Sequence, residues 1–266
     1  MAGDEILLKE VRSHVGTLTF NRPEKRNALS LDLLIKIHMT LQEWDEDGEV
    51  RVVVITGGSG KAFSSGYDIA AIPTEVTPEI AELMKHKNPL KLAMESVECF
   101  PYPTIAMLNG YAFGAGLNLA MCCDIRIAAD DISVSMPPAK LGLVYHPDGI
   151  RQFIEVVGMA RTREIFFTGR TFRGREIQEK GLVDYLVPAH ELHSVTYTLA
   201  EEIAANAPLS LKGTKRIINM FCASHALKGR DLKEAEELLN EAYNSKDLVE
   251  GQTAFFEKRK PRFTGR

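Results

Sequence analysis

Hydrophobic and polar positions alternate early in the chain. Residues 6–11 and 15–20 flank a polar break containing Gly16, and this period of two predicts a β-hairpin. The period then changes. After an irregular loop carrying Pro23 and Asn27, residues 31–44 place apolar side chains at helical spacing behind Ser30, a residue type that caps helix N-termini. Residues 52–56 are a continuous β-branched run, too apolar for a half-exposed strand, and predict a buried parallel strand that empties into Gly57-Gly58-Ser59-Gly60. A helix is expected over 78–99, a second buried strand over 104–108 and another helix over 117–123. Further on, 150–157, 160–167 and 174–180 read as short helices and 182–187 as a strand stopped by Pro188. From Glu191 onward the pattern is helical, with breaks at Ala207-Pro208, at Gly229 and near Lys246. The expected class is α/β: a body over 1–190 followed by a helical region over 191–266.

Two loops of small residues interrupt this pattern just after apolar strands. One runs from Gly57 through KAFSSGYDI, around Gly66; the other is Asn109-Gly110 followed by Gly114-Ala115-Gly116, at a strand-to-helix turn. Small residues leave backbone N–H groups open to a ligand that carries or develops negative charge. Tight packing explains the same composition. Two such loops can supply one N–H each to a single oxygen, which is how an oxyanion hole is assembled. A dinucleotide fingerprint is rejected, because Gly114-x-Gly116 lacks a third glycine and does not follow the first strand.

Composition narrows the partners. The chain has 266 residues, 45% of them hydrophobic, enough for a large core without staples. A formal net charge of −4 gives no general pull toward nucleic acid or an anionic membrane, so an anionic ligand needs a local basic cluster. Lys25 and Arg26, on a loop before a helix, are candidates for phosphate contacts. The four cysteines, Cys99, Cys122, Cys123 and Cys222, lack paired C-x-x-C spacing and read as structural thiols rather than metal ligands. The N-terminus shows no basic-then-apolar leader and no window approaches a membrane span of about 18 apolar residues, so a cytoplasmic location is expected.

NGYAFGAGLNLAMCCDIRIAADD resembles the enoyl-CoA hydratase/isomerase (crotonase) superfamily. NRPEKRNAL, KAFSSGYDI, LGLV, GLVDYLVP and FEKRKPRF follow the family's order over nearly the whole chain. The resemblance implies a crotonase-type spiral of ββα units with C-terminal helices that trimerise and cover the site, and a homotrimer or dimer of trimers. It also implies an acyl-CoA thioester substrate, with no cofactor beyond the coenzyme A of that substrate. Tyr67 and Ala115 would donate the two N–H groups to the enolate oxygen. CoA would be held by Lys25, Arg26 and Ala28, by Ser65, Gly66, Tyr67, Asp68 and Ile69, and by Phe256 and Lys258.

The reaction is less plain from the resemblance. At the two positions where hydratases of the family carry glutamates this chain has Asn118 and Pro138, and His146 replaces the aspartate of isomerases and dehalogenases. Tyr145, His146 and Asp148 are the remaining candidates for acid/base work, alongside Asn118. SSGYDI, SMPPAKLGLVY and FEKRKPRFTG are locally similar to methylmalonyl-CoA decarboxylases, in which a tyrosine at the position of Tyr145 lies at the reacting carboxylate. There Tyr67 stands for a histidine and Asn118 for a glutamate. Decarboxylase-like lyase chemistry is therefore expected first. An enoyl- or dienoyl-CoA hydratase or isomerase with altered acid/base residues is the second reading, and a non-catalytic acyl-CoA-binding scaffold the third.

Overall fold

The computed structural model describes residues 5–58, 60–68, 88–138, 145 and 147–223, with isolated positions beyond them. The hairpin forms from β1 (Leu7–Arg12) and β2 (Val15–Phe20), which pair antiparallel with Leu7 opposite Phe20. Its turn is not at Gly16. Ser13 and His14 make it, with φ of 51° and 66°, the left-handed pair that a two-residue hairpin needs to match strand twist. Gly16 lies inside β2, where a Cβ would stand 2.7 Å from the ring of Trp44. Ser30 caps α1 (Leu31–Asp47), its hydroxyl accepting from Leu33 N–H.

From there the chain repeats a strand, a shorter strand and a helix. The units are β3 (Val52–Gly57) with β4 (Ala62–Ser64) and α2 (Pro89–Cys99); β5 (Thr104–Leu108) with β6 (Tyr111–Phe113) and α3 (Ala115–Met121); and β7 (Ile125–Ala129) with β8 (Ser133–Ser135) and α4 (Pro147–Thr168). The first strand of each unit enters a six-stranded sheet of order β1-β2-β3-β5-β7-β10, parallel after the opening hairpin. The second enters a four-stranded sheet, β4-β6-β8-β9. β9 (Thr171–Arg173), α5 (Arg175–Glu179) and β10 (Tyr185–Val187) complete both sheets. Every residue of β3 and β5 is buried, as an apolar run covered on both faces requires. α4 is interrupted at Gly158 (φ 76°), which divides it near the boundary expected between two short helices.

Among the described residues two helices follow, α6 (Leu192–Ala204) and α7 (Pro208–Ala223). Lys215 of α7 is buried, and its ammonium reaches Asp124 Oδ2 at 2.6 Å and the Tyr102 carbonyl at 3.0 Å. The same carboxylate oxygen accepts from Thr104 N–H and Oγ–H, so the helical region is tied to the start of β5. The strands β4, β6, β7, β8 and β9 were not foreseen in the pattern. α2 begins at Pro89 behind the Asn88 cap; the earlier part of the expected 78–99 helix lies outside the described residues.

Candidate active site

The loop before α1 and the loop after β4 are closed against each other by hydrogen bonds. Asn27, buried at φ 52°, donates from Nδ2 to the Ala62 carbonyl at 2.9 Å. Ser65 N–H donates to the Arg26 carbonyl at 3.0 Å, and Arg22 Nη2 meets Asp68 Oδ2 at 3.0 Å. Leu29 bonds to both neighbours of Tyr67, its N–H to the Gly66 carbonyl and its carbonyl from Asp68 N–H. Successive residues of extended chain point their polar groups to opposite sides, so the Tyr67 N–H turns away from Leu29. Among the described residues it has no acceptor. Asp68, expected to touch CoA, is held in this clamp by Arg22.

The other amide arrives on α3. Gly114 caps the helix at φ 52° and donates to the Ser135 carbonyl, which leaves the buried Ala115 as the first helical residue; its N–H has no acceptor among the described residues. The two loops touch at Gly66. Its φ of 103° is open to glycine alone, and a Cβ there would lie 2.9 Å from the Phe113 carbonyl and 3.5 Å from Ala115 N. Gly116 brings the same helix onto β4, since a Cβ would stand 2.6 Å from the Cβ of Ser64. The expected helix over 117–123 thus starts two residues earlier, because small residues inside it serve contact rather than flexibility.

One turn along α3, about 5 Å from Ala115, the buried Asn118 borders a cavity of about 260 Å³ with Tyr145, Asp148 and Lys91. Tyr145 donates its phenolic hydrogen to Asn118 Oδ1 at 2.9 Å, and Asn118 Nδ2 donates to Gln152 Oε1 at 2.8 Å. Burial pushes the Tyr145 hydroxyl well above its usual pKa, so it remains a neutral phenol. Gly149 permits this approach, since a Cβ would stand 2.8 Å from both Tyr145 Cδ1 and Asn118 Oδ1. At the mouth Lys91 Nζ sits 2.8 Å from Asp148 Oδ2 and 3.7 Å from Glu95; the carboxylates raise the lysine pKa, Asp148 most. Gln152, 4% exposed, was missed from the sequence. It shares a helix face with Asp148, four residues before it, and that spacing was the available signal.

A second cavity, about 740 Å³, opens beside the loop before α1 and the loop that leads into β4. It is lined by Arg26, Lys61 and Ser65 with the Tyr111 and Phe113 rings, a basic and aromatic wall suited to a phosphorylated adenosine. Lys25 stands on the exposed turn Pro23–Lys25 beside it, and Ala28 is buried beneath, its carbonyl accepting from Arg22 Nη1. Ile69, His146, Phe256, Lys258 and the LGLV segment lie outside the described residues. Cys122 and Cys123 are buried thiols, the latter pushed to a pKa of about 12 by burial, and neither touches either cavity. Among the described residues no group of three His, Cys, Asp or Glu is placed to hold a metal ion.

The enoyl-CoA hydratase/isomerase family model matches residues 10–266. The chain belongs to that family. It is 34% identical over 259 residues to an enoyl-CoA isomerase/hydratase of Mycosarcoma maydis, covering 94% of this chain and 92% of the relative. It is 32% identical over 256 residues to the short-chain-enoyl-CoA hydratase of Clostridium acetobutylicum, covering 96% and 95%. The crystal structure of an enoyl-CoA hydratase from Bacillus anthracis superposes with a TM-score of 0.86 at 31% identity, covering 98% of this chain and all of that one. The fold is accordingly the crotonase spiral. These relatives are hydratases and isomerases by name, so the comparisons lend no support to the decarboxylase expectation.

Proposed function

We propose that this family member binds an enoyl-CoA thioester, stabilises its enolate with the Tyr67 and Ala115 amides, and moves the double bond rather than adding water. The observation that carries the reading is the contact at Gly66, which sets two amides with no acceptor among the described residues on facing loops, next to a cavity lined by the Asp148 and Glu95 carboxylates. Water addition in the family uses two glutamates. Here Asn118 is bound at both ends, and Pro138 has no ionisable group. One carboxylate is enough for migration of a double bond. Asp148 takes a proton from the carbon next to the thioester of a 3-enoyl-CoA, the charge moves to the thioester oxygen, and the same proton returns two carbons further along. No atom is gained or lost. Arg26 and Lys61 would receive the CoA phosphates, and no further cofactor takes part.

Incubation with a 3-enoyl-CoA, a 2-enoyl-CoA and methylmalonyl-CoA tests this. Conversion of the first to the 2-enoyl isomer, lost in Asp148→Asn, is expected. Faster hydration of the 2-enoyl-CoA would transfer the assignment to the hydratases, and CO2 release would restore the decarboxylase. Binding of all three without turnover would leave a scaffold.

A further inference from the structure

The hydrogen bond between Tyr145 and Asn118 is the last link of a longer chain. Gln152 Oε1 accepts from Asn118, and Gln152 Nε2 donates to Glu98 Oε2 at 2.8 Å. Glu98, on α2, also accepts from Arg151 Nη2 on both of its oxygens, at 2.8 and 2.9 Å. Each primary amide in this series could stand either way round, because its oxygen accepts and its nitrogen donates. A carboxylate has no such freedom: it only accepts. Its presence forces Gln152 to turn Nε2 toward α2 and Oε1 toward Asn118. Asn118 must then turn Nδ2 toward Gln152 and Oδ1 toward Tyr145, and the only group left to donate is the phenol.

We infer that Glu98, which touches neither Asn118 nor Tyr145, is a positioning residue that sets the direction of this whole chain and thereby commits Tyr145 to presenting lone pairs, not its hydrogen, to anything else it meets. A ligand atom or water at that oxygen has to be a donor, such as a hydroxyl or amide N–H. A reacting carboxylate, which only accepts, is refused. The direction of the chain does not depend on which thioester the cavity receives, so it can be tested without one.

Glu98→Gln can invert the series, since a glutamine at 98 can offer its own N–H to Gln152 while its oxygen keeps Arg151. Asn118→Asp tests the sense of the wire at its other end. In the native chain an aspartate at 118 faces the Gln152 oxygen, acceptor against acceptor. In the Glu98→Gln background Gln152 can turn and donate to it. Unfolding by urea of the wild type, both single variants and the double variant closes a double-mutant cycle. The expected result is a marked loss of stability in Asn118→Asp that the double variant recovers, with a coupling of about tenfold in the unfolding constant, the scale seen for polar partners in one network. Additive effects would overturn the inference. If Asn118→Asp alone does not fold, recovery of a folded double variant supports it and failure of both refutes it. Repeating the cycle with Gln152→Met, which fills the space but cannot relay direction, should abolish the coupling; coupling that persists would show that 98 and 118 communicate by another route.

Discussion

Tyr145 donates to Asn118 across the face of Gly149, 2.9 Å from oxygen to oxygen, and no larger residue at 149 leaves room for that bond. A polar pair in the cavity wall is thus held by the absence of a side chain. Gly149→Ala should force the ring away from Asn118. Loss of the bond and overpacking together should cost about 1–3 kcal/mol of stability in urea unfolding. Turnover should fall more than CoA affinity does; an unchanged kcat with a normal melting curve would show that the pair has no part in the reaction.

Burial of the same hydroxyl has a consequence at alkaline pH. The Tyr145 hydroxyl is raised above the ordinary tyrosine value of about 10, so the folded state keeps a proton that the unfolded chain gives up first. Between the two values the native state binds more protons, and stability therefore falls as pH rises. The contribution is complete below the unfolded value and is lost above it. Unfolding free energy measured from pH 8 to about 11 should decline less steeply in Tyr145→Phe than in the wild type. Equal slopes would mean that the phenol is not protected by burial.

At Gly66 a side chain is excluded twice, by φ of 103° and by the carbonyl of Phe113 at 2.9 Å from a Cβ. Gly66→Ala should spread the two loops and misalign the amides. Removal of one oxyanion donor elsewhere costs about 10²–10³ in kcat, and a loss on that scale is expected here, with CoA binding retained. A fall in affinity with kcat preserved would place Gly66 in the CoA site alone.

Arg26 occupies the left-handed region at φ 55°, so Asn, which tolerates that backbone, removes the charge with little strain. Arg26→Asn should weaken CoA binding about tenfold, the size of one charge-assisted contact, and reduce its salt dependence. CoA lacking the 3′-phosphate, titrated by calorimetry, shows which phosphate the residue meets.

How much of this was legible in the chain follows from the residue types involved. The runs at 52–56 and 104–108 announced buried strands because both faces of the sheet are covered, and the glycines around 66 and 114–116 announced two converging loops. Strands of three residues such as Tyr111–Phe113 and Ser133–Ser135 are too short to show alternation. Gly116 looked like a turn residue, yet it is helical and small for contact with Ser64. Glu98 and Gln152 were hidden for another reason: polar residues on helices read as solvent-facing, and only the hydrogen bonds between α2 and α4 show that they face each other. Asn118 and Pro138 were readable as losses of carboxylate. What Asn118 does instead depends on Gln152, whose role no local pattern carried.

The central claim is that one thioester oxygen receives hydrogen bonds from Tyr67 and Ala115 together. The infrared stretch of a ¹³C-labelled carbonyl in bound enoyl-CoA reports this directly. The band should move to lower wavenumber than in water, and move back in Gly66→Ala. A band at its aqueous position in the wild-type complex would mean that the amides do not meet the carbonyl, and would contradict the account.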